Sequence, residues 1–516
     1  MTNQRSVIDL TEPPHPGENL LHFTSLCYFM GFLRFIVDSP RQRIDPVLPS
    51  IYAIGFDRSP WQTEVRWEGE LLCCEWDLSD SASIYVPWNV PGVGWRTLGT
   101  GSLLQRQMPY RLEVELTRGK LVQVRNQLGE WEQYGLAVPE ALTAALREAV
   151  TLFGQIATGN EAPIEQAMQS ACEVADGLGN TFVEQALDVR LRQKGPRKCF
   201  LGADLGTTTF EPRSSNAYHK AFNAANVPII WGKIESHEGN TDWTAPDEQI
   251  QWCLDRRLVV CSGPILSFDN NYLPDWLYLY ENDYDSISYS ARQFTAQVVK
   301  RYRGKVDLWQ CAGRLQTPGV LSLDEGQRVR LAVELLSVVA EQDPDTPRTL
   351  SFDQPWAEFN NHREVDFTPL HVANEIVRSG SPINGVFLEI NHSYCPEGTL
   401  PRDLIDLNRQ LDFWNLLGIP LYVKLTAPSS LTDDPQARRK SVPLSAADSP
   451  ETQASFAKRW VGLLTARLAV HGILWNQLFD SAPHDFANGG LFDHEGRPKP
   501  ILDVLTELRT THMSKK

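Results

Sequence analysis

The stretch "SARQFTAQVVKRYRGKVDLWQCAGR", residues 290–314, holds the two rhythms on which the fold turns. Its first half has an amphipathic helical pattern, and its second half reads as a buried strand through Val306, Leu308 and Trp309. A second amphipathic helix, "LDEGQRVRLAVELLSVVAEQ", follows at residues 323–342. The strand runs out in Ala312, Gly313 and Arg314, which carry no acid, thiol or hydroxyl where an α/β enzyme keeps its reactive groups.

Working outward, the same alternation runs from Lys198 to the end of the chain. The strand candidates are "CFLGADL", "VPIIWG", "LVVCSGPILSF", "KVDLWQC", "RTLSFD", "INGVFLEI", "IPLYVKL" and "VHGILWNQ", separated by helical patterns such as "PRDLIDLNRQLDFWNLLG". Eight strands alternating with helices over about 310 residues predict an α/β fold, a (β/α)8 TIM barrel spanning 198–510. An open doubly wound sheet is the competitor, but no glycine-rich phosphate loop follows an early strand. Upstream, residues 1–135 read as a mainly-β domain that could be a carbohydrate-binding sandwich, with "EVRWEGELLCCEWDL" as a hairpin. Leu112, Val114 and Leu116 alternate as in a strand, whereas Leu121, Val124, Leu128 and Trp131 recur at helical spacing. Two strong helical patterns between 136 and 197 form a connector.

Charge and cysteine usage narrow the functional classes. A net charge of −16 makes nucleic acid or an anionic membrane a poor partner, since such binding needs a cationic surface. The nine cysteines include no C-x-x-C pair, so neither a zinc knuckle nor a disulfide framework is expected. His237, His392, His471 and His484 lack metal-ligand spacing, and no metal or other cofactor is expected. The N-terminal twenty residues are polar and proline-bearing, unlike a secretory signal, which makes a reducing, cytoplasmic setting the expectation.

Six segments, in order, resemble glycoside hydrolase family 10, the xylanase family. "WGKIESHEGNTDW" resembles its second-strand segment, "CSGPILSFDNNYLPDWL" the third, "VVKRYRGKVDLWQCAGR" the fourth, "INGVFLEINH" the sixth and "LGIPLYVKL" the seventh. "VHGILWNQLFDSAPHDFANGGLFDHEGRPKP" resembles the eighth strand and the tail. The resemblance implies a barrel that acts on carbohydrate, but the family's catalytic residues are missing. Its acid/base glutamate falls at Gly313 and Arg314, and its nucleophile glutamate falls on Leu425, next to Lys424. Its third-strand histidines fall on Pro264 and Asp269, its third-strand tryptophan on Phe268, and its second-strand lysine on Ile230. A retaining glycosidase needs two carboxylates about 5–5.5 Å apart, and neither inherited position supplies one.

Relocated carboxylates are therefore the expectation. Glu389, in "GVFLEINH", occupies a deep sixth-strand position, and Glu358, on the loop after the fifth strand, is its expected acid/base partner. The competing reading makes Glu389 a structural acid paired with Arg314 or Lys424, and Glu358 an exposed loop residue. Candidate sugar contacts are Arg314, Asp269, Asn271, Asp353 and Gln477, with Trp231, Trp309, Trp356 and Trp475 as stacking faces. Core packing explains the tryptophans equally well. Arg314 could accept an acidic or sulfated sugar, or could hold Glu389 ionised. A non-catalytic sugar-binding protein and a structural scaffold remain the alternatives to a divergent glycosidase.

Overall fold

Eight parallel strands close on one another in a computed structural model. It describes residues 31–514 apart from 57, 79, 160–162, 208–211, 317–318, 362–366, 397, 440–443 and 445–448. The strands are β1 (Phe200–Asp204), β2 (Ala224–Val227), β3 (Val259–Ser262, resuming at Leu266–Ser267) and β4 (Leu308–Gly313). They continue with β5 (Arg348–Asp353), β6 (Gly385–Asn391), β7 (Leu421–Thr426) and β8 (Val470–Trp475). Each pairs with the next, and β8 returns to β1 through Gly472↔Phe200 and Trp475↔Ala203. This is the expected (β/α)8 barrel.

Strand alternation decides which side chains enter the barrel. Phe387 and Tyr422 stack at 5.0 Å, Tyr422 and Phe200 at 5.7 Å, and these rings share a buried cluster with Cys261, Leu308 and Leu474. That cluster fills one end of the lumen. Two residues further along β6 and β7, the same face carries Glu389 and Lys424, which are cross-strand partners. The opposite faces, including Leu388, Ile390, Val423 and Leu425, pack into the large core between sheet and helices. Leu425, the expected nucleophile position, therefore faces away from the lumen, and Lys424 faces in.

Local signals start the helices. Asp324 and Gln327 form a reciprocal capping box at the head of Glu325–Gln342, and Asp403 caps Leu404–Asn415 by accepting from Ile405 N and Asp406 N. Two expectations shift. The second strand lies at Ala224–Val227, and the "VPIIWG" segment leaves the sheet at Pro228 and enters a short helix, Trp231–Ile234. Residues 112–116 are not a strand but the first turn of a helix, Leu112–Gln133, which continues through the expected helical positions Leu121, Val124, Leu128 and Trp131.

The N-terminal β region is two four-stranded sheets. One contains Glu64–Glu68, Leu71–Trp76, Gly31–Ile36 and Tyr110–Arg111, and the other Pro60–Trp61, Tyr52–Ile54, Ser83–Val90 and Gly94–Gly99. The expected hairpin forms, with Gly69 in the left-handed region (φ +58°) that its two-residue turn requires. Leu33, Phe35, Leu72 and Trp76 of the first sheet share a core with Ile84, Val86, Trp88 and Leu98 of the second. Residues 1–30, including Cys27 and the polar N-terminal segment, lie outside the described residues. Among those described, eight cysteines are free, all but Cys395 are buried, and no helix is long and apolar enough to cross a membrane.

The β region docks on the barrel loops that follow β5 and β6. Thr97 N donates to Pro401 O at 2.7 Å, and Asn361 Nδ2 donates to Ile51 O at 2.8 Å. Lys120 and Asp403 form a buried ion pair across the junction.

Candidate functional site

At the C-terminal ends of the strands lies a cavity of about 310 Å3, the position where barrel enzymes place their chemistry. Asp204 enters it from β1, Arg314 from the end of β4, Glu389 from β6, Lys424 from β7, and Asn476 and Gln477 from the end of β8. Glu389 accepts a hydrogen bond from Ser351 Oγ at 2.7 Å, and Lys424 Nζ stands 3.9 Å away. Asp204 accepts from Asn226 Nδ2 at 2.5 Å and Gly206 N at 2.9 Å, and Gln310 Nε2 steadies Asn226 from below at 2.6 Å. Burial raises the pKa of Asp204, and the charge of Glu389 adds to the rise against the opposing pull of Lys424.

Arg314 stands where the resemblance puts the acid/base glutamate, and it is fully committed. Its guanidinium binds Asp269 through Nη1 and Asp485 through Nη2, the latter at 2.8 Å. Arg438 also binds Asp485, and Arg439 reaches Asp269 at 3.2 Å. Tyr272 lies beneath two of these cations, 5.5 Å from Arg314 and 5.7 Å from Arg438. Burial opposes a charge on Asp485, yet the three arginines hold its pKa well below the usual carboxylate range. Burial likewise works against Arg314, but Asp485, Glu389 and Asp353 keep its pKa above the ordinary value. Arg314 thus has its carboxylates from Asp269 and Asp485, and no direct ion pair to Glu389 forms.

Glu358 is placed elsewhere. Its Oε1 accepts from Arg402 Nε at 3.1 Å and Nη2 at 2.5 Å, and its Oε2 accepts from Leu400 N at 2.9 Å. It is 8 % exposed and does not line the mouth, because the loop after β5 is drawn into the junction with the β region. The expected pairing of Glu358 with Glu389 is therefore not assembled, and Glu358 is neither exposed nor aimed at the cavity.

The other candidates divide cleanly. Asn271 and Gln477 line the mouth, Asn271 donating to Asp269 at 2.9 Å and Gln477 to Asp480 at 2.9 Å. Asp353 sits one strand from Glu389 as its register partner. Its pKa is raised by burial and then by the charge of Glu389, and its Oδ1 has no hydrogen-bond partner among the described residues. The tryptophans do not present stacking faces there. Trp231 stacks on Phe294 at 4.7 Å and donates to Glu235, Trp309 donates to Asp343 at 3.0 Å, and Trp475 donates to Gly489 O at 2.8 Å. All three are core residues behind the sheet. Trp356 belongs to a different cavity, at the junction.

Sequence reasoning passed over Asp204, although an acid ending the first strand is a legible signal. Asp485, Arg438 and Tyr272 come from loops whose convergence no local pattern records. One grouping with metal-ligand geometry occurs among the described residues, Asp434, Asp480 and His484. Protein donors already fill it. Lys499 Nζ binds Asp480 at 2.5 Å, Asn488 N donates to Asp434 at 2.8 Å, and His484 Nε2 faces Asp434 at 3.0 Å.

Comparison with known proteins adds the following. No family model matches the chain. Endo-1,4-beta-xylanase 3 of Hypocrea jecorina is 23% identical over 224 residues, covering 43% of this chain and 59% of that protein. Among solved structures, the native xylanase 10B of Thermotoga maritima is 14% identical, with a TM-score of 0.47 over 63% of this chain and 96% of the other. A family 10 protein from Paenibacillus barcinonensis is 17% identical, with a TM-score of 0.46 over 64% of this chain and 98% of the other. The Thermotoga petrophila xylanase 10B, solved with xylobiose, is 15% identical, with a TM-score of 0.47 over 62% of this chain and 95% of the other. The chain resembles family 10 glycoside hydrolases, as its ordered motifs imply.

Proposed function

We propose that this is a glycoside hydrolase-like protein that takes an oligosaccharide into the barrel mouth and acts on it through Glu389 and Asp204. One observation carries the reading. Of the carboxylates lining the cavity, these two are the ones not committed to an arginine, whereas Asp485 is held by Arg314 and Arg438.

The two acids have different partners, which suits them to different roles. Asp204 is held up by burial, which suits a proton donor to the glycosidic oxygen. Glu389 has its negative charge compensated by the Ser351 hydroxyl and by Lys424, which suits attack at the anomeric carbon or activation of water. A carboxylate or sulfate on the sugar would meet Lys233 at the rim rather than Arg314, whose guanidinium is spent on Asp269 and Asp485.

The test is release of reducing ends from xylobiose, longer xylo-oligosaccharides and uronate-bearing oligosaccharides. The folded wild-type chain should be active on at least one, and Glu389→Gln or Asp204→Asn should each cut the rate by about 10²–10⁴. Equal rates in wild type and variants would defeat the assignment. A second reading, binding without cleavage, is favoured by Arg314 in the acid/base position. It predicts calorimetric binding with no turnover, weakened by Lys424→Met.

A further inference from the structure

A second cavity, of about 420 Å3, lies where the N-terminal sheet, the helix Leu112–Gln133 and the barrel helix Leu404–Asn415 meet. It shares no lining residue with the mouth. Its volume is in the range of small-ligand sites. One side is aromatic, with Trp356 and Tyr85 each close to the Arg402 guanidinium, at 5.1 Å and 5.9 Å from ring centre.

The charges around this cavity do not balance. Lys120 is neutralised by Asp403, and Arg402 by Glu358. Arg58 and Arg409 are not: among the described residues neither forms an ion pair with a carboxylate. Arg58 lies 4.6 Å over the ring of Phe413, on the helix that also carries Arg409. Both cations line the cavity, Arg409 half-buried and Arg58 at its solvent-exposed edge; burial first, and then the charge of Arg409, lowers the pKa of Arg58. One acid, Asp406, stands in the lining against these two cations, and it already accepts from Gln123 Nε2 at 2.6 Å. In a chain of net charge −16, a cavity with two guanidinium groups that have no carboxylate ion pair is a site that an anion would complete.

We propose that the junction cavity binds a small organic anion, a phosphate or carboxylate on a sugar-sized body, with the oxyanion held by Arg58 and Arg409 and the body against Trp356 and Tyr85. Because its walls come from both the β region and the barrel, the ligand bridges the two and stabilises their docking.

The experiment is calorimetry and thermal unfolding of the full chain at constant ionic strength, with inorganic phosphate, glucose 6-phosphate, glucuronate and, as the neutral control, glucose. At least one anion should give saturable heat and a higher unfolding temperature, and glucose should give neither. The responding arm identifies phosphate or carboxylate as the group recognised. Arg58→Ala and Arg409→Ala should each weaken binding at least about tenfold, with Arg409→Gln replacing a variant that fails to fold. Glu389→Gln should leave this binding unchanged, which separates it from the mouth. No saturable response to any anion at about 10 mM, or an undiminished response in the Arg58→Ala, Arg409→Ala double variant, overturns the proposal.

Discussion

Replacing Glu358 distinguishes a catalytic carboxylate from a structural one more sharply than any other change. In the folded chain its two oxygens accept from Arg402 Nε, Arg402 Nη2 and Leu400 N, and Arg402 Nη2 also donates to Tyr52 Oη at 2.5 Å. The side chains of Arg402 and Glu358 are 3% and 6% exposed, so water replaces a lost partner poorly. Glu358→Ala leaves a buried guanidinium with one phenol and no carboxylate in direct contact, a loss of about 3–5 kcal/mol. An unfolding entropy of about 2.1 cal/mol/K per residue over the roughly 300 residues of the barrel gives about 0.65 kcal/mol/K, and thus a fall of about 5–8 °C in Tm. Glu358→Gln keeps the shape and one acceptor and should fall at the lower end. Differential scanning calorimetry reads the shift, and oligosaccharide turnover or binding measured well below the transition reads the mouth. The structural account requires a large shift with the mouth unaffected. A Tm within about 1 °C of wild type together with loss of turnover would refute it and return Glu358 to the catalytic role its sequence position invites.

Three other outcomes follow from the geometry. His392 accepts from Arg402 N at 3.3 Å through Nε2 and contacts Ser393 Oγ at 2.9 Å through Nδ1, as a neutral ring does, and burial pushes its pKa down to about 3. Its contribution to stability is therefore complete above the unfolded value near 6.5 and is lost as pH falls from there toward 3, at about 1.4 kcal/mol per pH unit. Urea midpoints from pH 7 to 4.5 should decline less steeply in His392→Gln, and parallel slopes would count against this. Trp309→Phe removes the donor to Asp343 and should cost about 1–3 kcal/mol in chemical denaturation while leaving sugar affinity unchanged; a loss of affinity would restore Trp309 to the site. Arg314→Lys should lower Tm nearly as much as Arg314→Ala, since one ammonium cannot bridge Asp269 and Asp485 as the guanidinium does, and full rescue by lysine would contradict the bridging role.

The barrel was legible because its strands are short apolar runs with clear boundaries. "RTLSFD" coincides with the observed strand Arg348–Asp353, bounded by Pro347 before it and by Gln354, at φ +48°, after it. Where the reading failed, two periods fitted the same residues. Leu112 and Leu116 are equally spaced for a strand face or for one helical turn, and only Val114, half-buried in the helix, separates the two. In "VPIIWG" the apolar run continues beyond Val227, but Pro228 has no N–H to extend the ladder, and the chain turns into a helix at Trp231.

The site was legible only as far as single strands carry information. Glu389 could be found because alternation along "GVFLEIN" puts it on the lumen face with Phe387, two residues deeper. The same rule, applied one strand over, corrects the mapped nucleophile position. Tyr422 faces the lumen, so Lys424 does too, and Leu425 must face the helices, which is where it packs. Glu358 could not have been judged from its own segment, since its partner is Arg402, 44 residues later, itself held by Tyr52 of the β region. The mouth also shows why an acid could not simply be restored at β4. Arg314 carries the counter-charge for Asp269 and Asp485, so an acid there would leave a third carboxylate beside two others and remove a cation that both need. The proposed hydrolysis draws on Asp204 of β1 and Glu389 of β6, with Lys424 of β7 between those strands in the barrel order.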